Sequence, residues 1–181
     1  MTVDTRSTKQ VVMETERLLL RKLTPQDLDA LVEIYGDALA MRYFEKVYTR
    51  DEIRERFLNR NLACYSDPGH GMYAVERKQN GEFLGLAGPN LEEVDGERYI
   101  EVGYSFKPAA WGNGYATEAA AACMRYAFER LGAQRVVSFI DPGNQPSQRV
   151  AERNGLRLEK QILWHGKPHH VWAKDREGTH G

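Results

Sequence analysis

Gly112-Asn113-Gly114-Tyr115-Ala116-Thr117-Glu118 stands between an extended run, Tyr99 to Lys107, and an alanine-rich run, Tyr115 to Leu131, which Gly132 ends. The first run reads as a strand and the second as a long helix, so the glycines form a strand-to-helix loop. A helix N-terminus presents unpaired backbone N–H groups and the positive end of its dipole. Glycines just before it let a bulky anion approach without a Cβ collision. The segment is therefore built like a pyrophosphate cradle. The alternative is a glycine-containing turn that only starts a helix.

The flanks sort the ligands that such a cradle could take. No Gly-Lys-Ser/Thr occurs here, which removes a Walker loop. A dinucleotide site of Rossmann type stays open, because Asp141 follows Thr117 by about 24 residues, near the spacing of a ribose-binding acid. Against it, Thr117 occupies the third glycine position, and the unit lies in mid-chain behind antiparallel hairpins.

Working outward, Arg17 to Leu23 reads as a strand, and Thr24-Pro25 supplies an N-cap and a first-turn proline for a helix reaching about Leu39. A second helix opens at Thr49 with Glu52 completing a capping box. Strands Met72 to Lys78 and Phe83 to Gly88 flank Asn80-Gly81, a strong hairpin signal, and another turn falls at Asp95-Gly96. After the long helix come a strand (Arg135 to Ile140), a short helix (about Gln145 to Asn154) and a closing hairpin (Leu156 to Trp164, Pro168 to Lys174). Hairpins followed by a β-loop-α-β-α unit predict one α/β domain over residues 1–181: a mixed, mostly antiparallel twisted sheet flanked by about four helices. Its core spans about 14–174, with frayed polar ends.

Bulk properties narrow the function classes. The chain has 181 residues, 41% hydrophobic and 28% charged, with 25 basic against 26 acidic side chains. That balance gives no field for nucleic acid or anionic membrane. Cys64 and Cys123 lie far apart and match no zinc pattern. No apolar run nears the ~20 residues that span a bilayer, and residues 1–10 lack a signal-peptide apolar region, so a cytoplasmic location is expected.

Three segments carry a family resemblance: EVGYSFKPAAWGNGYATEA (101–119), ETERLLLRKLTPQD (14–27) and NQPSQRVAERNGL (144–156). In this order they resemble the GNAT superfamily of N-acetyltransferases, in its ribosomal-protein-alanine acetyltransferase-like branch, over about Glu14 to Lys174. The resemblance implies acetyl-CoA as cosubstrate, no metal, and a protein N-terminal α-amine or a small-molecule amine as acceptor. The family's loop reads Q/R-x-x-G-x-G/A. Here Trp111 takes its first position, followed by Gly112, Asn113, Gly114, Tyr115 and Ala116, so phosphate binding would rest on backbone N–H groups through Thr117.

Amine acetylation needs a base for an ammonium, stabilisation of an oxyanion and a proton for the departing thiolate. Glu101, flanked by Ile100 and Val102, is the candidate base; the alternative is an edge-strand glutamate facing water. The resemblance puts oxyanion donors in the backbone of Val102-Gly103-Tyr104, Asn144 on the pantetheine arm and Ser147 at the CoA sulfur. Asn144 and Ser147 also suit plain helix capping. The acceptor would enter between the first two helices and the last hairpin, along Tyr43, Phe44, Tyr48 and Trp164. His165, His169 and His170 fall near that hairpin as solvated or substrate-lining groups. Glu118, Arg125 and Glu129 read as a surface ion-pair ladder. A non-catalytic acyl-CoA sensor and a nicotinamide-cofactor binder are the other function classes, and monomer and homodimer both fit.

Overall fold

A computed structural model describes residues 9–66 and 70–178. Among them, eight strands form one sheet: β1 (Val11–Glu14), β2 (Leu18–Arg21), β3 (Tyr73–Arg77), β4 (Phe83–Val94), β5 (Glu97–Phe106), β6 (Arg135–Ile140), β7 (Arg157–Trp164) and β8 (Lys167–Asp175). Their order is β1-β2-β3-β4-β5-β6-β8-β7. Every neighbouring pair is antiparallel except β5 with β6. This mixed sheet is the predicted one, and it is not the parallel doubly wound sheet of a Rossmann site.

The helices are α1 (Leu28–Tyr35), α2 (Arg50–Ile53), α3 (Arg60–Cys64), α4 (Tyr115–Arg130) and α5 (Gln145–Arg153). A π turn (Arg54–Asn59) joins α2 to α3 without a break, so four helical bodies flank the sheet among the described residues. On β3, Tyr73 and Val75 face α4, whereas Ala74 faces the cluster of Leu31, Ile34, Ile53 and Leu58 from α1 and the α2–α3 helix. The period of two thus feeds two cores, one on each face of the sheet. On α4, Ala119, Ala120, Ala122, Cys123 and Ala127 are all buried, and small side chains let the long helix lie close against the strands.

Several boundaries differ from the sequence reading. Residues 9–12 were expected to fray, yet Val11–Glu14 pairs with β2 and buries Met13; residues 1–8 lie outside the described ones. The first helix stops at Tyr35, because Asp37 Oδ1 accepts the Ala40 N–H (2.8 Å) and holds a separate turn. β4 does not end at Gly88 but runs to Val94. The Gly88-Pro89 step comes where β3 has ended, and Gly88 must be glycine: a Cβ there would sit 2.0 Å from the Gly71 carbonyl. Asp95 (φ 51°) and Gly96 (φ 77°) make the two-residue turn that this long hairpin needs. At the other end Asp175 is still in β8, and the Arg176 N–H reaches the Gln134 carbonyl (2.8 Å). The expected ladder along α4 is replaced by a longer-range tie, in which Glu118 bonds Thr15 and Arg17 across the β1–β2 turn.

Candidate active site

The one parallel pair in the sheet is also its weakest seam. Glu101 opposite Val137 is the only registered partnership between β5 and β6. Just beyond it, the Ser138 hydroxyl donates to the Val102 carbonyl (2.8 Å), and the Glu101 carboxylate accepts the Phe139 backbone N–H. Side chains have replaced ladder bonds, and the two strands separate. Past Val102, β5 has no ladder partner on that side. A cavity of about 550 Å³ opens at the split. It is lined from one face of the sheet by Glu101 and Gly103 and from the other by Tyr104 and Ser147, so it reaches through the gap.

Glu101 does not face water. β5 is an inner strand, and Glu101 is 5% exposed. Burial, reinforced by the nearby Glu92 and only partly offset by the Phe139 N–H, pushes its carboxyl up to about 8. Gly103 makes room for it: a Cβ at that position would lie 3.1 Å from Glu101 Oε1 and 3.4 Å from Asn90 Nδ2. Glu-Val-Gly is thus a local device, with the glycine two residues on, upon the same face, clearing the space into which the carboxylate turns.

Across the split, the Tyr104 and Ser147 hydroxyls lie 2.6 Å apart. Burial and the proximity of Glu101 raise the Tyr104 phenol well above its usual range, and the Ser147 contact opposes this. Asn144 caps α5 by accepting the Ser147 N–H at 3.2 Å, which is the bland role set out above. Tyr43, Phe44, Tyr48 and Trp164 all line the same cavity, from the α1–α2 connection and the β7–β8 hairpin. The Trp164 ring packs edge-on against Phe139 (5.1 Å) and His169 (5.1 Å). Sequence reasoning missed the Tyr104 side chain, Asn90, Glu92 and Arg56. Only Tyr104 left a trace, three places after Glu101 on the opposite face. Asn90 and Glu92 were hidden by ending β4 too early.

The glycine loop lies outside that lining. Gly112 and Gly114 both take φ +78°, and nothing lies within 4 Å of a Cβ built on Gly112, so the approach to the α4 N-terminus is open. Trp111 Nε1 donates to the Phe106 carbonyl (3.0 Å), and the Asn113 amide donates to the Ala110 and Trp111 carbonyls. The Tyr115 ring packs beneath the Arg17 and Arg77 guanidiniums, and its hydroxyl accepts from Arg77 (3.1 Å). Thr117 Oγ1 is buried without a hydrogen-bond partner among the described residues. These side chains are turned away or occupied, which leaves the backbone N–H groups to meet a ligand. The residues fit a diphosphate: two left-handed glycines, an open approach, and Glu118, the nearby acid, tied to Arg17. Among the described residues no group of three His, Cys, Asp or Glu side chains is placed to hold a metal ion.

Residues 17–157 match the acetyltransferase (GNAT) domain family. The chain belongs to that family. It is similar to YkkB of Bacillus subtilis, an uncharacterized protein, at 34% identity over 88% of this chain and 93% of that one. Among solved structures it is similar to a Vibrio cholerae protein named a "putative ribosomal-protein-serine acetyltransferase", at 26% identity and TM-score 0.75, covering 97% of this chain and 100% of that one. It shares its fold with RimL, a ribosomal L7/L12 α-N-protein acetyltransferase solved with coenzyme A, at 20% identity and TM-score 0.72, covering 92% of this chain and 98% of that one. Membership in the GNAT family makes the chain an acyltransferase, and no helix among the described residues is long and apolar enough to cross a membrane.

Proposed function

We propose that this chain transfers acetyl from acetyl-CoA to a primary amine, by direct attack within a ternary complex, at the split between β5 and β6. The observation that carries the reading is Glu101: a buried carboxylate inside a solvent-reaching cavity, with its carboxyl near 8, at the one place where the sheet opens. A base with a pKa near the working pH is the one best suited to take a proton from an ammonium. An α-amino group titrates at ~8 and an alkyl amine at ~10. Transfer from an α-amine to Glu101 is therefore close to thermoneutral, which favours a peptide N-terminus or another weakly basic amine as acceptor. Tyr43, Phe44, Tyr48 and Trp164 give the acceptor apolar walls.

Acetyl-CoA supplies the activated acetyl group and leaves as the free thiol. The backbone N–H groups from Gly112 to Thr117 hold its diphosphate at the positive end of α4, and Asn144 meets the pantetheine arm. Unpaired main-chain groups of β5 beyond Val102 orient the acetyl carbonyl. Glu101 holds the proton taken from the amine at its carboxylate. On the far side of the split, the Tyr104–Ser147 hydroxyl pair delivers a proton to the departing sulfur. The neighbouring phenol and hydroxyl can pass that proton between them.

The test incubates the protein with acetyl-CoA and a panel of peptides with varied N-termini, polyamines, amino sugars and free amino acids. Thiol release is followed and products are identified by mass. Release with one acceptor class, and an acetylated product, is expected. Binding of acetyl-CoA with no release from any amine would move the assignment to a non-catalytic acyl-CoA sensor.

A further inference from the structure

The α1–α2 connection carries a cation that nothing above uses. Arg42 sits with its guanidinium 4.8 Å from the Trp111 ring centre and 4.8 Å from that of Tyr43. Trp111 leads into the glycine loop, and Tyr43 lines the cavity and reaches to within 3.8 Å of a Cβ built on Gly143, in the turn after β6. The Arg42-Tyr43 pair thus bridges the mouth of the split, from the loop after β5 to the loop after β6. A guanidinium stacked on rings uses its face and keeps its in-plane N–H donors directed outward. Nη1 donates to the Leu39 carbonyl (3.3 Å), and among the described residues no carboxylate pairs with Arg42. The arginines over Tyr115 differ: Arg17, which donates to the Asn113 carbonyl of the loop (2.9 Å), is bound to Glu118, and Arg77 to Glu82. Side chains of the loop itself are all neutral from Trp111 to Thr117, so a diphosphate seated there would meet backbone dipoles and no loop cation.

We propose that Arg42 is a cosubstrate-binding residue, reaching the diphosphate of acetyl-CoA from outside the glycine loop and supplying the side-chain charge that Trp111 lacks. This rests on the acetyl-CoA reading of the site. Stacking on Trp111 holds the guanidinium in place before the ligand arrives, which lowers the ordering cost of binding. Tyr43 shares the stack, so the same contact fixes one wall of the acceptor cavity when the cosubstrate is present.

The test measures affinity directly, through calorimetry and quenching of tryptophan fluorescence, for acetyl-CoA, 3′-dephospho-acetyl-CoA and S-acetylpantetheine, with wild type, Arg42→Gln and Arg42→Lys. Loss of a charge-assisted contact predicts acetyl-CoA binding weakened roughly 10- to 100-fold in Arg42→Gln, with a shallower salt dependence. Lysine should restore part of it. The same loss is expected for the 3′-dephospho compound and none for S-acetylpantetheine, which lacks the diphosphate. Turnover should show the change in KM for acetyl-CoA and not in kcat, with melting temperatures matched to wild type. Binding within twofold of wild type, an equal loss for S-acetylpantetheine, or a loss confined to compounds with the 3′-phosphate would overturn the assignment. A wild-type chain that binds none of the three compounds overturns the site reading itself, and with it the role of Arg42.

Discussion

Replacing Glu101 by glutamine should make the protein more stable while disabling it. The carboxyl titrates near 8 in the folded chain against an ordinary 4.5, mainly because burial disfavours its charge. Between those two values the folded state holds a proton that the unfolded state releases, so wild-type stability falls as pH rises through that window. At pH 7 the linkage amounts to ~3 kcal/mol of destabilisation, and at pH 5 to less than ~1 kcal/mol. Glutamine is close in shape, keeps an oxygen for the Phe139 N–H and does not titrate. The variant should therefore gain most of that difference at pH 7, roughly 6–12 °C in Tm for a chain of this size, and only ~2 °C at pH 5. Calorimetric melting of both proteins from pH 5 to 8.5 checks it. A variant that melts below wild type at neutral pH, or a gap that does not widen with pH, would refute the claim that Glu101 is buried as a high-pKa acid.

Other expectations are simpler. Arg21 is 4% exposed, forms a two-pronged contact with Asp27 (2.8 and 2.9 Å) and also bonds Glu76 (2.7 Å). Burial would raise the Asp27 carboxyl, yet its bonds to Arg21 and the Thr24 N–H lower it. Arg21→Met leaves buried Asp27 without its cation and takes one of two cations from Glu76, which keeps Lys9 (2.6 Å). It should cost ~3–5 kcal/mol in urea unfolding. The wild-type share due to Asp27 is lost only as pH falls below that carboxyl's ordinary 3.8. Gly103→Ala places a methyl against Glu101 and Asn90; it should lower turnover at least tenfold, while differential scanning shows a small change in Tm. Tyr104→Phe removes the 2.6 Å contact with Ser147; stopped-flow thiol release should slow about 10- to 100-fold, with acetyl-CoA affinity unchanged.

How much of this could be read from the sequence depends on how local each cause is. The glycine loop, the α4 helix and the Asn80-Gly81 hairpin follow from short-range rules, and they fall where those rules put them. Glu101 was legible from its place in the strand before the glycine loop, whereas Gly103 was singled out only through the family resemblance, as a backbone donor, and the room it makes for the carboxylate was not read. β4 was cut short at Gly88-Pro89, since proline and glycine read as a stop. The reason they are tolerated is the end of β3 and a backbone approach from Gly71, which is a tertiary fact. The edge-or-inner status of β5 was equally invisible, because it depends on β6 arriving from beyond α4. Asn90 and Glu92 from β4 meet Arg56 from the π turn at the cavity, and no spacing announces such convergence. Arg42 was hidden for the same reason: its partner ring, Trp111, is 69 positions away in the chain.

Glu101, at the β5–β6 split, is the proposed base for acetyl transfer. Its most direct test is the pH dependence of kcat/KM for wild type and Glu101→Gln below about pH 9.5, using an acceptor alkyl amine whose own titration, at ~10, stands apart from that of Glu101. Wild-type activity should rise through an apparent pKa near 8 and level off. The variant should run about 10²- to 10⁴-fold lower with that limb gone. A variant that keeps wild-type rates and the same limb would contradict the account and place the base elsewhere.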